Sequence, residues 1–212
     1  MNDPKLDPKK IIFLYLNNPI NDNFRSGFIK VLQEARKLTG RDITSGLKNT
    51  ISLDENESWL GVTGYMILLD QIGKCFKPKG LQVEKGNAIQ KALKYFSNLE
   101  SNRIDAIYAL RCAFAHDFSL ANQNDDPSLR HRFLISTNKV HPLVSLPVKQ
   151  WSGKYYHSQY EDVTIININL LCDLVEEIYT MLLKLVREDN LEIVLKDGVN
   201  EFTFRYGLQL KN

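Results

Sequence analysis

Arginine and histidine lie five positions apart in a run of alanine and apolar residues, Leu110-Arg111-Cys112-Ala113-Phe114-Ala115-His116-Asp117. A guanidinium is permanently charged and binds anions through several donors, and an imidazole gains or loses a proton near neutral pH. An unpaired charge is costly among apolar neighbours, so an arginine in this setting predicts a specific partner or ligand. Anion binding by Arg111 and proton transfer by His116 are therefore the chemistry that the sequence offers first.

The helix that must position this pair, here called the motif helix, begins at Ser101 or Asn102, either of which can act as a cap, and ends near His116. Arg111 falls within its apolar face, which comprises Ile104, Ile107, Phe114 and Phe118. A second row holds Asp105, Ala109, Cys112 and His116. Five steps of 100° place Arg111 and His116 about 140° apart. The pair therefore needs either an unwound last turn or two copies of the helix that meet along the small residues Ala109, Cys112 and Ala113.

Helical spacing of apolar residues predicts a bundle of four or five helices. Besides the motif helix, we expect helices over residues 21–40, 54–76, 87–96 and 169–187. The second of these would begin with a capping box formed by Asp54 and Glu57. The segment Ile11–Leu16 is too short for periodicity to separate a strand from a helical turn. Gly61 and Gly64 lower helix propensity, and their expected use is the close approach of another helix or of a ligand.

β-strands are predicted in two regions. An insertion over residues 131–166 combines turn residues with short apolar segments at residues 133–136, 143–148, 155–156 and 163–166. Near the carboxyl end, Leu191–Leu195 and Phe202–Tyr206 flank Asp197-Gly198, which predicts a hairpin over residues 191–206. The predicted fold class is thus mainly α: a single helical domain over residues 1–212, with a small β insertion and a C-terminal β-hairpin.

Composition limits the functional classes. The 212 residues are 43% hydrophobic and 25% charged, with a formal net charge of +2, and these values are ordinary for a globular protein. Cys75, Cys112 and Cys172 lie far apart and form no CxxC pair, which predicts buried thiols in a reducing compartment. The amino terminus has no signal-peptide pattern, and no apolar run approaches about 20 residues. We therefore expect a cytoplasmic protein with no membrane segment.

Other side chains that could do chemistry have plainer interpretations, which we weight more heavily. The clusters Lys74, Lys77, Lys79 and Arg130-His131-Arg132 could bind phosphates, but such clusters are more often solvated surface. The aromatic residues Trp151, Tyr155, Tyr156 and Tyr160 could stack on bases, yet aromatics in short strands usually belong to a core or a sheet surface. The histidines His131, His141 and His157 lack metal-ligand spacing, so no metal site is expected.

The run from Leu110 to Asp117, set among predicted helices, resembles the signature of the HEPN superfamily. Members of that superfamily are helical-bundle domains whose R-x(4–6)-H motif marks many prokaryotic toxin and anti-phage ribonucleases. The resemblance covers the motif and the helix order around it, over residues 21–118 and 168–188, and leaves the β insertion outside. Family members commonly carry a polar residue, often asparagine, directly after the arginine, and Cys112 occupies that position here.

The resemblance implies a HEPN-like, metal-independent endoribonuclease without a cofactor, acting as a toxin or phage-defence component. In that reaction the ribose 2′-hydroxyl attacks the adjacent phosphate, His116 takes its proton, and Arg111 stabilises the charge on the phosphate oxygens. Asp105, Cys112 and Asp117 are further substrate-binding candidates. The resemblance also implies RNA as the substrate, a homodimer through the motif helix, and an antitoxin or defence-system protein as a partner.

Two alternatives remain open at this point. The same module can bind RNA, a nucleotide or a protein without catalysis, or the motif can be accidental in a structural helical protein. In the accidental case, Arg111 would form a partly buried ion pair, with Asp70, Glu176 or Glu177 as the candidate partners. His116 would then interact favourably with the dipole at the carboxyl end of its helix.

Overall fold

The computed structural model describes residues 7–17, 24–49, 58–155, 160–206 and 209–210. Its helices, in chain order, are α1 (Pro8–Asn17), α2 (Gly27–Leu38), α3 (Trp59–Cys75), α4 (Ala88–Phe96), α5 (Ser101–Asp117), α6 (Ile168–Arg187) and α7 (Gly198–Tyr206). Its strands are β1 (Phe24–Arg25), β2 (Phe76–Pro78), β3 (Ala121–Asn122), β4 (His131–Ser136), β5 (Val144–Ser145), β6 (Val163–Asn167), β7 (Leu191–Ile193) and β8 (Gln209–Leu210). The described residues are thus mainly helical with small sheets, as predicted.

The chain forms two compact units. The first comprises Met1–Phe96 together with Glu176–Asn212, and the second comprises Ser97–Val175. The boundary falls within α6, and the motif helix, α5, belongs to the second unit. The expectation of a single domain over residues 1–212 stays a prediction.

In the first unit, α3 packs against both α2 and α4, and its glycines permit this. A Cβ atom at Gly61 would lie 2.7 Å from Cγ2 of Thr39, and one at Gly64 would lie 3.0 Å from Cβ of Ala35. On the α4 side, a Cβ atom at Gly73 would overlap the carbonyl oxygen of Ala88. The expectation that Gly61 and Gly64 serve the close approach of another helix is confirmed.

An aromatic core joins α1, α2 and α7 within the first unit. Tyr15, Phe28 and Phe202 are at most 1% exposed, and the ring centroids of Tyr15 and Phe202 are 4.7 Å apart. Burial raises the pKa of Tyr15, whose hydroxyl donates a hydrogen bond to Oε1 of Gln71 at 3.0 Å. The segment Ile11–Leu16, which periodicity left undecided, is therefore part of a helix that the core requires.

The predicted C-terminal hairpin over residues 191–206 is wrong. Strand β7 pairs instead with β2, with Ile193 opposite Phe76, and residues 198–206 form α7. Phe202 is 1% exposed whereas Phe204 is 91% exposed. Residues two apart share one face of a strand but lie on opposite sides of a helix, so this contrast in exposure is helical. The apolar segment was too short to distinguish the two periods from sequence.

The second unit contains a four-stranded sheet in the order β3-β4-β6-β5. Strands β4 and β6 are parallel, with Phe133 opposite Thr164, and the other two pairings are antiparallel. Strands β4 and β6 confirm two of the four predicted strands, and the predicted strand at 143–148 shortens to Val144–Ser145. Tyr155 lies in an exposed bend, and Tyr156 lies outside the described residues. Strand β3 was not predicted because two residues carry no periodicity.

Serine side chains determine where two helices begin. Ser26 caps α2 by accepting a hydrogen bond from the Ile29 amide at 3.2 Å, so the helix starts later than residue 21. Ser58 caps α3 through the Gly61 amide at 3.2 Å, while the predicted capping box of Asp54 and Glu57 lies outside the described residues.

The three cysteines carry free thiols. Cys75 and Cys172 are buried, which confirms the prediction for them, and Cys112 is half-buried. Burial raises the pKa of the Cys75 thiol to about 12. Among the helices that the structure describes, none combines the length and the apolar character that a membrane-spanning helix requires.

Candidate functional site

The motif helix α5 begins at Ser101 and is capped by the backbone of Glu100. Glu100 has an extended conformation, its side chain makes no capping hydrogen bond, and its carbonyl accepts from the Arg103 and Ile104 amides at 3.0 Å each. The prediction that Ser101 or Asn102 is the cap is therefore wrong, because both residues already lie in the first turn. The helix starts one residue earlier than a Ser101 cap requires and two residues earlier than an Asn102 cap requires.

The carboxyl end of α5 is closed by Phe118 in a left-handed conformation, with φ of 49°. Its amide donates to the carbonyl oxygens of Ala113 and Phe114, and its ring lies 5.5 Å from that of Phe114. Phe118 is 48% exposed, so the prediction that it shares the buried face is wrong: the helix has ended before this residue. A left-handed phenylalanine is strained by roughly 1–2 kcal/mol, and such strain is often found next to functional residues.

The buried face of α5 packs within its own unit against β3, β4, β5 and the 3-10 helix Pro127–Leu129. Its fully or nearly fully buried residues are Ile104, Ala106, Ile107, Ala109, Leu110, Ala113 and Phe114. Ala109 is 0% exposed and Ala113 is 2% exposed. These two members of the predicted small-residue row are thus covered by the chain itself, and only Cys112 of that row is half-buried.

Arg111 and His116 leave the helix on different sides. Arg111 is half-buried, and His116 is exposed in the last turn. Because α5 is continuous through Asp117, the five intervening steps separate the two side chains by about 140° and about 7.5 Å along the axis. The alternative in which the last turn unwinds is therefore wrong. Within one copy, the helix presents an anion-binding group and a proton acceptor to two different directions.

The remaining predicted site residues divide into two places. Cys112 and exposed Asp117 lie in the last two turns of α5 beside Arg111 and His116. Asp105 lies 11 residues before His116, about 16 Å along the axis. Asp105 is close to His131 of β4, whose pKa is lowered by burial and raised, to a lesser extent, by the hydrogen bond with the Ser128 carbonyl and by the Asp105 charge. Four of the five candidates therefore lie in the last two turns of α5, on different sides of the helix, and Asp105 lies apart from them.

The cluster Arg130-His131-Arg132 directs its side chains to partners within the chain. His131 is 4% exposed, with Nδ1 2.8 Å from Oγ1 of Thr164 and Nε2 2.9 Å from the carbonyl oxygen of Ser128. Arg132 donates from Nη2 to a carboxylate oxygen of Asp162 at 2.8 Å. Arg130 donates to the carbonyl oxygens of residues 124 and 125. The expectation of a solvated surface is therefore wrong for this cluster, because His131 is buried and all three side chains have partners within the chain.

The lysine cluster is likewise committed to local contacts. Lys77 is 7% exposed, donates to the Leu81 carbonyl and pairs with Glu192. Lys79 is exposed and lies 2.7 Å from Asp189. Lys74 is also exposed at the surface. The lysine cluster is thus two ion pairs and a surface cation.

Of the aromatic residues that could stack on bases, Trp151 is buried and Tyr155 is exposed. Trp151 is 1% exposed, and its indole nitrogen donates to the Lys154 carbonyl at 3.1 Å. Tyr155 is 65% exposed, with its ring edge-on to the indole at 5.4 Å. Tyr156, His157 and the side chain of Tyr160 lie outside the described residues.

The proposed partners of Arg111 include a carboxylate that a different arginine binds. In the first unit, Glu176 accepts from Nε and Nη2 of Arg36 at 2.8 Å and 2.7 Å, and from the Tyr65 hydroxyl at 2.7 Å. The side chains of Arg36 and Glu176 are 5% and 14% exposed. The sequence around Arg36 carries no signal for this pair, because the carboxylate lies 140 positions away along the chain.

Sequence reasoning also missed a polar cluster at the carboxyl ends of the parallel strands β4 and β6. Oγ of Ser136 lies 2.6 Å from Nδ1 of His141, and Nδ2 of Asn167 donates to the carbonyl oxygens of Asn138 and His141. Oδ1 of Asn167 accepts from the Asn169 and Leu170 amides and so caps α6. An asparagine just before an apolar periodic run is the signal that could have identified this cap. The cluster anchors the loop after β4 to the start of α6.

Among the described residues, no group of three or more histidine, cysteine, aspartate or glutamate side chains is placed to hold a metal ion. Comparison of the chain with models of protein families, with curated proteins and with solved structures finds no match.

Proposed function

We propose that this protein is a HEPN-like, metal-independent endoribonuclease that acts in the cytoplasm as a toxin or phage-defence component. The observation that carries the proposal is the position of the Arg111-x4-His116 motif in the last two turns of α5. There His116 is exposed in the last turn, Arg111 is half-buried two turns from the end, and the strained Phe118 closes the helix.

The proposed reaction needs only these side chains and the RNA. His116 removes the proton of a ribose 2′-hydroxyl, whose oxygen forms a bond to the adjacent phosphorus while the bond to the 5′-oxygen breaks. Arg111 donates hydrogen bonds to the non-bridging oxygens, on which negative charge accumulates in the transition state. The products are a 2′,3′-cyclic phosphate and a 5′-hydroxyl, and the leaving oxygen takes a proton from histidinium or water. DNA has no 2′-hydroxyl and is not a substrate.

We further propose a composite site, in which Arg111 of one copy and His116 of the other act on the same phosphate. The separation of about 140° on a regular helix supports this arrangement, because one copy presents the two groups to different directions. Ala109 and Ala113 are covered within the chain, so the two copies would meet at the exposed end of α5, where His116, Asp117 and Phe118 lie.

The experiment is cleavage of RNA in EDTA by the purified full-length protein and by Arg111→Ala and His116→Ala variants. We expect each variant to lose at least a hundredfold in rate, which is the usual size of a general-base or charge-stabilising contribution. Arg103→Ala, which removes another arginine of α5 whose 42% exposed side chain pairs with Glu100, is the matched control and should cleave as the wild type does. Equal rates for the wild type and both motif variants would overturn the proposal.

A second candidate function is RNA, nucleotide or protein binding without catalysis, for instance to an antitoxin or defence-system protein. Cys112 favours it, because related motifs commonly carry a polar residue at the position after the arginine. This function predicts that the wild type binds RNA or a partner protein but releases no 2′,3′-cyclic phosphate. A Cys112→Asn variant that gains cleavage would show that this position alone separates the two functions.

A further inference from the structure

Helices α2 and α3 of the first unit form an apolar groove of about 290 Å³ on the surface. Its lining residues are Lys30, Val31, Glu34, Ala35, Leu38, Leu60, Thr63, Gly64 and Ile67. Leu60 and Ile67 are 60% and 43% exposed and lie seven residues apart, so they project from the same side of α3 over two turns. Exposed large apolar side chains that line one groove are typical of an interaction surface.

The floor of the groove is made of the smallest side chains on the two helices. Ala35 and Gly64 face each other there, close enough that a Cβ atom on the glycine would lie 3.0 Å from Cβ of Ala35. The hydroxyl of Thr63 donates to the Trp59 carbonyl at 2.8 Å, so it makes its hydrogen bond within its own helix. Large apolar side chains thus stand beside a shallow floor, which leaves space for apolar side chains of a partner.

The charged rim of the groove is also complementary to itself. Lys30 and Glu34 form an exposed pair at 3.0 Å, one helical turn apart on α2, with side chains 72% and 52% exposed. When two copies of α2 meet antiparallel about a two-fold axis, Lys30 faces Glu34 of the partner subunit, and the reverse contact forms at the same time. A partner of one charge sign would match only half of this rim.

We propose that the α2–α3 groove binds the same groove of a second copy, so that α2 and α3 of two subunits form a four-helix contact about a two-fold axis. In this contact Ile67 of each subunit lies beside the two-fold axis, near the Ala35–Gly64 floor of the other, and Leu60 lies about 10 Å from the axis at the outer end of the contact. The face lies in the first unit and uses neither Arg111 nor His116, so the proposal is independent of the ribonuclease proposal.

Sedimentation velocity of the full-length protein between about 1 and 200 µM tests this association, because that range covers homodimers with micromolar dissociation constants. Leu60→Glu and Ile67→Glu should each raise the dissociation constant at least about a hundredfold, since the two-fold axis places the new charge in the contact twice. Val83→Glu is the matched control, because Val83 is also 60% exposed and lies outside the groove. Circular dichroism verifies that each variant is folded.

A charge-swap pair tests the two-fold geometry directly. Lys30→Glu and Glu34→Lys each place like charges opposite each other in a homodimer, so both variants should associate at least about tenfold more weakly. Mixing the two variants pairs opposite charges again and should restore the wild-type dissociation constant. A wild type that stays monomeric throughout the range, or assemblies that persist unchanged in the folded Leu60→Glu variant, would overturn the proposal. A mixture no tighter than its components would overturn it as well. Cleavage activity does not enter any of these outcomes.

Discussion

At the scale of single residues, two ionisable groups are buried, and their hydrogen-bonding partners determine the free-energy cost of burying them. His131 lies under α5 with both ring nitrogens within hydrogen-bonding distance of oxygen atoms. Arg36 lies in the first unit with its guanidinium paired to both oxygens of Glu176. A buried group is stable only in the protonation state that its partners satisfy, so each of these residues makes a measurable contribution to stability.

The stability of the fold should decrease as the pH falls, and His131 should be a cause. Burial lowers its pKa from the usual value of 6.5, so the unfolded chain binds the proton more tightly than the folded chain. The contribution is fully present above pH 6.5 and is lost as the pH falls from there through the folded pKa. Urea denaturation of the wild type and of His131→Gln at a series of pH values measures this: the variant should show the flatter profile.

The control for His131 is His116→Gln, which changes an exposed histidine in the same unit and should leave the stability at pH 7 within about 0.5 kcal/mol of the wild type. Parallel profiles for the wild type and His131→Gln would show that the buried imidazole does not titrate differently in the two states.

Replacing Glu176 by glutamine should destabilise the protein by about 3 kcal/mol, because it leaves the buried guanidinium of Arg36 without a countercharge. Thermal and urea unfolding followed by circular dichroism measure the change. Glu177→Gln, at the exposed neighbouring position, should stay within about 0.5 kcal/mol of the wild type. Equal stabilities of the two variants would mean that the buried pair contributes no more than a surface charge.

At the scale of elements, the first unit depends on α3 being approached closely from two sides. Gly61 and Gly64 face α2, and Gly73 faces the start of α4. Side chains at these positions would meet other side chains on the α2 side but rigid backbone on the α4 side. The same substitution therefore has a different cost at different glycines of one helix.

Gly73→Ala should destabilise the protein by at least about 2 kcal/mol, because its methyl group would overlap the Ala88 carbonyl and force α3 and α4 apart. Gly27→Ala is the matched control: among the described residues, its Cβ would meet the Tyr206 carbonyl at an ordinary 3.7 Å in the first turn of α2. The gain in helix propensity there should leave the protein unchanged or up to about 1 kcal/mol more stable. Denaturant midpoints that fall equally for both variants would contradict the packing argument.

At the scale of the whole molecule, function depends on whether the motif acts within one copy or between two. In a composite site, a mixed dimer of Arg111→Ala and His116→Ala subunits contains one intact and one doubly damaged site. Equal amounts of the two inactive variants should therefore recover about a quarter of the wild-type cleavage rate after subunit exchange. A mixture as inactive as its components would place the whole site within a single copy.

The sequence was sufficient for features that depend on near neighbours along the chain. The apolar period placed α4, α5 and α6 within about two residues of their observed bounds, since helix formation depends on residues three and four apart. The prediction from the apolar period was wrong at residues 198–206, where a short apolar segment fits both a strand and a helix. Local hydrogen bonds to Ser26, Ser58 and the Glu100 carbonyl determined the starts of α2, α3 and α5, and only the first two use a capping side chain.

The sequence by itself also selected Arg111 and His116, through their residue types and their spacing. Only the tertiary structure decided which of the candidates lie together, that Ala109 and Ala113 are covered, and that His116 is exposed while His131 is buried. It likewise decided that Arg36 pairs with a carboxylate 140 positions away and that β7 pairs with β2. The physical reason is the range of the interactions: helical periods arise between near neighbours, whereas burial, ion pairing and strand pairing require distant segments to meet.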